Sequence, residues 1–210
     1  MKSALCLALA CCGLLNAAQD SALIQLPKPR MDGGMPLMQA LKNRKSGREF
    51  SSKPIPRQEL SNLLWAAFGV NRPESGKRTA PSAMNKQEID LYVALAEGLF
   101  VYDAKANALK KVSGSDLRAL TGKQAFVKDA ALNIVFVADM SKSKGEDAKV
   151  YAAADAGFIA ENVYLYCASS GFSTVVRGNV DKEALGKAMG LRPDQTIIFA
   201  QTVGYPKSAE

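Results

Sequence analysis

Two short runs hold most of the residues that could do chemistry. Arg44-Lys45-Ser46-Gly47-Arg48 sets two guanidinium groups four residues apart around a serine hydroxyl, where a helical pattern gives way to a loop. Arginine offers a planar, permanently charged fork of donors that matches phosphate oxygens, and serine adds a short-range donor. Further on, Pro81-Ser82-Ala83-Met84-Asn85-Lys86-Gln87 makes a Pro-Ser turn followed by two side-chain amides. Such amides both donate and accept, which suits the edge of a heteroaromatic ring. One phosphate clamp and one amide-rich edge reader are what a mononucleotide cofactor needs. Each run also has a plainer reading. A basic cluster at a helix end complements the helix dipole, and Pro-Ser turns occur in any loop.

The order of the runs and their surroundings narrow the choice. Leu26-Pro27-Lys28-Pro29, then Ala40 to Phe50, Leu60 to Gly69, Arg78 to Ala83, Gly98 to Asp103 and Val203-Gly204-Tyr205-Pro206 follow one another along the chain. Together they resemble the nitroreductase superfamily of flavoproteins, most of all its branch of SagB/ThcOx-type dehydrogenases. The resemblance covers residues 26 to 207. It implies an α+β fold, a central, mainly antiparallel sheet flanked by helices, acting as a homodimer with FMN.

By the same resemblance, Arg44, Ser46 and Arg48 hold the phosphate, and Lys45 between them reaches the pyrimidine side of the ring. Pro81, Ser82, Ala83 and Asn85 match a turn that contacts the flavin, usually from the partner subunit. Val175-Val176-Arg177-Gly178 matches a segment whose backbone lies against N5, and Gly178 permits close approach there. Arg177 stands where many relatives carry an acid. It either stabilises a reduced, anionic flavin or sits on the surface paired with Asp181. No catalytic side chain is assigned, because a flavin accepts and donates the hydride itself. The implied activity is two-electron transfer between an unidentified donor and a small-molecule substrate. The alternative is a non-catalytic protein that keeps the fold and holds flavin or another anionic ligand. The sequence departs from the family in three places. Past Pro206 only Lys207 could reach a phosphate, Glu88 stands where many relatives have Pro-Trp, and the loops that bind nicotinamide in larger relatives are short or missing.

Composition sets the outer limits. With 210 residues, 48% of them hydrophobic and 22% charged, the chain has room for one ordinary core. The formal charge is +7, yet Lys and Arg are scattered and form no aromatic-interleaved stripe. That points to an anionic ligand rather than nucleic acid. The sequence holds no histidine, which excludes histidine triads, histidine bases and the usual zinc sites. Residues 1–18 read as a signal peptide: Lys2, an apolar run from Ala4 to Leu15 too short to span a bilayer, then Ala17-Ala18. A buried N-terminal helix is the other reading, and Ala8-Leu9-Ala10-Cys11 carries a faint lipoprotein signal. Export to the periplasm or beyond is therefore expected, with no transmembrane segment in the mature chain. Cleavage would leave Cys167 alone, so neither a disulfide framework nor a metal site is expected.

The elements that must position these residues follow from periodicity. Residues 19–35 read as a linker ahead of one domain over residues 36–207. Pro36–Asn43 and Pro56–Phe68 read as helices with apolar stripes, and Asn71–Ser75 as a turn-rich connection. Ile89–Ala94 is an expected strand; Leu99–Tyr102 and Leu109–Val112 form a hairpin; Ser115–Leu120 is a short helix. Leu132–Ala138 is the clearest strand, a continuous apolar run suited to a sheet centre. Asp147–Ser169 is the longest helix and is apolar over most of its circumference, so it is either buried all round or packed through a dimer interface. Phe172–Val176, Lys182–Met189 and Thr196–Val203 complete the series as strand, helix and strand.

Overall fold

The computed structural model describes residues 23–207, and the signal-peptide and lipidation readings lie outside them. In chain order the elements are β1 (Leu23–Gln25), α1 (Leu37–Asn43), α2 (Arg57–Phe68), β2 (Val70–Arg72), β3 (Lys77–Arg78), β4 (Ile89–Leu95), β5 (Gly98–Asp103) and β6 (Ala108–Ser113). They continue with β7 (Leu132–Asp139), α3 (Ala148–Ser170), β8 (Ser173–Arg177), α4 (Lys182–Met189) and β9 (Gln195–Gly204). Seven strands form one antiparallel sheet in the order β1-β6-β5-β4-β7-β9-β8.

The run Leu132–Asp139 lacks polar alternation because both faces of β7 are covered, and all eight of its residues are buried. Ile134, Phe136 and Ala138 face the core shared with α2 and α3. Val135 and Val137 face the opposite side, where Leu185 and Met189 of α4 close the second core. The architecture is thus a helix pair, a sheet and a third helix in layers. α3 lies across the first face through Ala152, Ala156, Ile159, Ala160, Val163 and Cys167, whose small size lets the helix backbone approach the sheet. It ends where Gly171 adopts the left-handed conformation at φ 73° and donates its N–H to Cys167 O.

Four expectations are corrected. The segment read as linker contributes edge strand β1, which pairs with β6, and Leu26 after it is buried. Residues 71–75 sit within a small β2–β3 hairpin. The short helix expected at Ser115–Leu120 is instead a 3-10 turn over Arg118–Thr121. Asp116 Oδ1 accepts from the Arg118 N–H at 3.0 Å and its carboxylate pairs with the Arg118 guanidinium, which competes with a regular helical start. Finally, α3 is not buried all round. Val150, Tyr151 and Phe158 are exposed along it, and Ala153, Ala154 and Gly157 continue the same open face. Of the two readings of that helix, a face open to a partner is the one compatible with these positions.

The two-sided core makes β7 the most sensitive strand. Phe136→Ala should destabilise the protein by about 3–5 kcal/mol, the usual range for emptying a buried phenylalanine site. Urea unfolding should show this as a lower midpoint with an unchanged slope.

Candidate functional site

α1 stops at Asn43 because Arg44 takes φ −57° and ψ 121°, with its N–H still donating to Ala40 O. The chain then runs extended along β8. Gly47 N–H donates to Thr174 O at 2.9 Å. A side chain at Gly47 would press on Ser173 and force its hydroxyl to move, so glycine eases this close approach. Ser46 Oγ lies 2.9 Å from the Tyr164 hydroxyl, which also accepts from Val176 N–H at 3.0 Å. The Arg44 guanidinium sits 5.3 Å from the centre of the Tyr164 ring. One tyrosine on α3 therefore holds the Arg44–Arg48 run against β8. The chain end joins the same place: Phe50 bridges to Pro206, and Lys207 N–H donates to Glu49 O.

Beside this junction lies a cleft of about 490 Å³, lined by Lys42, Asn43, Lys45, Tyr164 and Thr174 among others. Among the described residues, Arg44, Lys45 and Arg48 form no ion pair with any carboxylate, while other surface cations do. Lys45 lines this cleft, and Arg44, Ser46 and Arg48 adjoin it in the same run, a donor set of the kind a phosphate-sized anion needs. A mononucleotide phosphate fits this donor set. A larger cleft of about 970 Å³ opens between the Arg30–Gly34 segment, α2 and α3, and meets the first at Phe172.

The Pro81–Asn85 turn is built differently. Met84, Asn85 and Gln87 have φ of 52°, 53° and 49°, a left-handed backbone that costs roughly 1–3 kcal/mol per non-glycine residue. Hydrogen bonds hold it there. Gln87 N–H donates to Ser82 Oγ at 3.0 Å, Arg78 Nε donates to Gln87 Oε1 at 2.8 Å, and Gln87 Nε2 donates to Asn85 Oδ1 and Gly76 O. Ala83 N–H donates to Asp155 Oδ2 on α3 at 2.8 Å. Ser82 is thus engaged in the turn itself, while Pro81, Met84 and Asn85 are exposed at its tip.

Within one chain the clamp and the turn are not brought together. Tyr164 anchors the first and Asp155 the second, nine residues apart on α3 (164 − 155), or about 13 Å along the axis at about 1.5 Å per residue. Between the two anchors the helix exposes Gly157 and Phe158, part of its open face.

Arg177 is corrected on both readings. It is buried and donates to Thr202 Oγ1 at 3.0 Å, Thr121 O at 2.6 Å and Asn133 Oδ1 at 3.0 Å. Asp181, its expected surface partner, instead caps α4 by accepting from Ala184 N–H. The guanidinium is taken up inside the fold and offers no free fork to a ligand. No carboxylate accompanies it, and burial lowers its pKa to about 10. Gly178 is exposed just beyond β8, with open space where a Cβ would stand. Cys167 is core, as expected, and burial pushes its thiol far up.

Two important residues escaped the motifs. Tyr164 reads in sequence as one more apolar position of a long helix. Asp155 is the only acid between Ala148 and Ala160 of that helix, and a lone buried acid in an apolar run was the available signal.

With this geometry in place, the comparisons are direct. The family model described as the nitroreductase family matches residues 41–205, and the chain belongs to that family. A Methanocaldococcus jannaschii protein whose name places it among the nitroreductases is 30% identical over 172 residues, covering 76% of this chain and 85% of that protein. A crystal structure from Ralstonia eutropha JMP134, also named as a nitroreductase, is 46% identical with a TM-score of 0.85, covering 89% of this chain and 90% of that one. The NADPH:FMN oxidoreductase of Vibrio harveyi, solved with NAD+, shares the fold at 20% identity and a TM-score of 0.63, covering 82% of this chain and 69% of that one.

The buried arginine network is separately testable. Asn133 Oδ1 accepts from both Arg177 and Thr202, and Asn133 Nδ2 donates to Val127 O. Asn133→Ala should cost about 2–4 kcal/mol by leaving a buried charge and two neutral groups short of partners, read as a fall in unfolding midpoint.

Proposed function

We propose that this chain is an FMN-dependent oxidoreductase that works as a homodimer, within the flavin-linked oxidoreductase class that family membership supports. The observation that carries the reading is the clamp run: Arg44, Lys45 and Arg48, free of carboxylate partners among the described residues, share one short segment with Ser46, and Lys45 of that segment lines an open cleft. When bound, FMN supplies two-electron chemistry by taking and giving a hydride at N5. The chain's own residues do the holding. Arg44, Ser46 and Arg48 bind the phosphate, Tyr164 keeps Ser46 in place, and Lys45 and Lys207 add positive charge. Pro81, Ser82, Ala83 and Asn85 supply a turn whose exposed tip reaches a flavin across the dimer.

The dimer part rests on α3. Two copies of its open face, related by a two-fold axis, would bury Val150 and Phe158 and set the turn of one chain toward the clamp of the other. Leu37 and Met38 on α1, 62% and 75% exposed, extend the apolar surface. No helix among the described residues is long and apolar enough to cross a membrane. Export by the leader would separate the enzyme from cytosolic nicotinamide pools. The reading therefore favours a quinol-like, small-protein or substrate donor, as in the SagB/ThcOx branch.

Mass analysis of ligand released from the purified protein should find FMN at one per chain, not a dinucleotide. Arg48→Ala should weaken FMN binding on the order of ten-fold or more, the scale of one charge-assisted contact, while Lys182→Ala on α4 leaves it unchanged. Failure of the bound flavin to turn over with artificial donors and acceptors would favour a non-catalytic flavin-holding role. Phe158→Asp should convert a dimer to monomers in sedimentation at micromolar concentration; an unchanged dimer would remove α3 from the interface.

A further inference from the structure

Glu88 follows the turn directly and is fully buried. Neither of its carboxyl oxygens meets a donor from another described residue. A carboxylate in that condition is strongly disfavoured, because charge is removed from water with nothing to replace it. Its neighbour is a second acid: Asp155 approaches from α3, is itself buried, and receives the Ala83 N–H on Oδ2. A buried carboxyl beside an acceptor of this kind is favoured in its protonated form, because its O–H then has a partner to donate to.

We propose that Glu88 keeps its proton and donates it to Asp155, and that this hydrogen bond latches the Pro81–Asn85 turn onto α3, so that loss of the Glu88 proton frees the turn. Glu88 donates its O–H to Asp155, and Asp155 keeps its other oxygen for Ala83 N–H. The turn needs such a fastening because Met84, Asn85 and Gln87 are held in left-handed backbone. The remaining tethers of the turn, Ser82, Arg78 and Gln87, lie within residues 76–87; Ala83 is the point where it is bonded to α3. Glu88 and Asp155 are positioning residues, and neither touches a ligand.

The charged groups bearing on Glu88 are Asp155 from α3 and Lys86 from the turn. Burial is the largest influence and raises Glu88 above its ordinary 4.5; its own N–H opposes this, Asp155 adds to the rise, and Lys86 pulls weakly the other way. The sign follows. A carboxyl raised in the folded state contributes stability that is complete below its ordinary value and lost as pH rises through the raised one. The turn should be fastened in acid and released toward alkaline pH.

The consequence for flavin rests on the function proposed above; the latch itself does not. Hydrogen exchange of the peptide spanning residues 79–88, followed across pH in the full chain, should lose protection beyond the ordinary base-catalysed rise. Glu88→Gln, which can donate to Asp155 but has no proton to lose, should abolish that extra loss. In wild-type protein the infrared C=O stretch of a protonated carboxyl should vanish over the same pH range, a measurement that needs no variant. If FMN is bound, its dissociation should quicken over that range in the wild type and not in Glu88→Gln. PH-independent protection, an unchanged profile in Glu88→Gln, or no protonated carboxyl band would overturn the latch. Protein that binds no FMN yet shows the pH-dependent exchange would overturn the flavin reading and leave the latch standing.

Discussion

Close packing of α3 on the sheet is the constraint from which the site follows. Alanines at positions 152, 156 and 160, with Ile159 and Val163, let the helix backbone settle against β4, β8 and β9. A helix seated that closely has little freedom to slide, because interiors pack at near-crystalline density. It therefore acts as a ruler. Asp155 and Tyr164 sit at fixed points on it, and each collects one of the two segments that can meet a ligand. Each segment also has ties of its own, the turn within residues 76–87 and the Arg44–Arg48 run to β8, but its attachment to α3 comes through these two residues. The small residues serve twice. On one side they allow approach to the sheet, and on the other Ala153, Ala154 and Gly157 leave a face on which a second backbone could lie.

Much of this was legible before the structure. The unbroken apolar run at Leu132–Ala138 announces a central strand because only a strand covered on both faces tolerates it, and β7 is that strand. The Arg44–Arg48 run is unspecific taken singly and suggests an anion site only in its order with the other motifs; the structure places its Lys45 on the wall of a cleft whose lining carries no carboxylate. What escaped shares one physical feature: the outcome depends on which neighbour a polar group meets. Arg177 reads equally well as ligand contact or surface cation, and a third environment, three neutral acceptors from Thr121, Asn133 and Thr202, decided the matter. Tyr164 looks like core until its hydroxyl is seen between Ser46 and Val176. Strand β1 is three residues long and has no pattern that distinguishes it from a linker; pairing with β6 alone makes it a strand.

Arg177 and Glu88 present the same electrostatic problem with opposite sign, and the fold answers them differently. Arg177 cannot readily discard its proton, so the structure surrounds it with oxygens: two side-chain acceptors and a backbone carbonyl replace most of what water supplied. Its pKa falls only to about 10, and it remains a cation at neutral pH. Glu88 has a cheaper exit, because a carboxylic acid becomes neutral by taking one proton. Accordingly the structure supplies it with no donors from other residues and sets another acid beside it. The basic group is a fixed support near neutral pH, where it keeps its charge. The Glu88 carboxyl is adjustable, and it lies beside the turn whose backbone is most strained. Placing the fixed charge beneath β8 and the adjustable one beneath the turn makes one side of the site permanent and the other responsive.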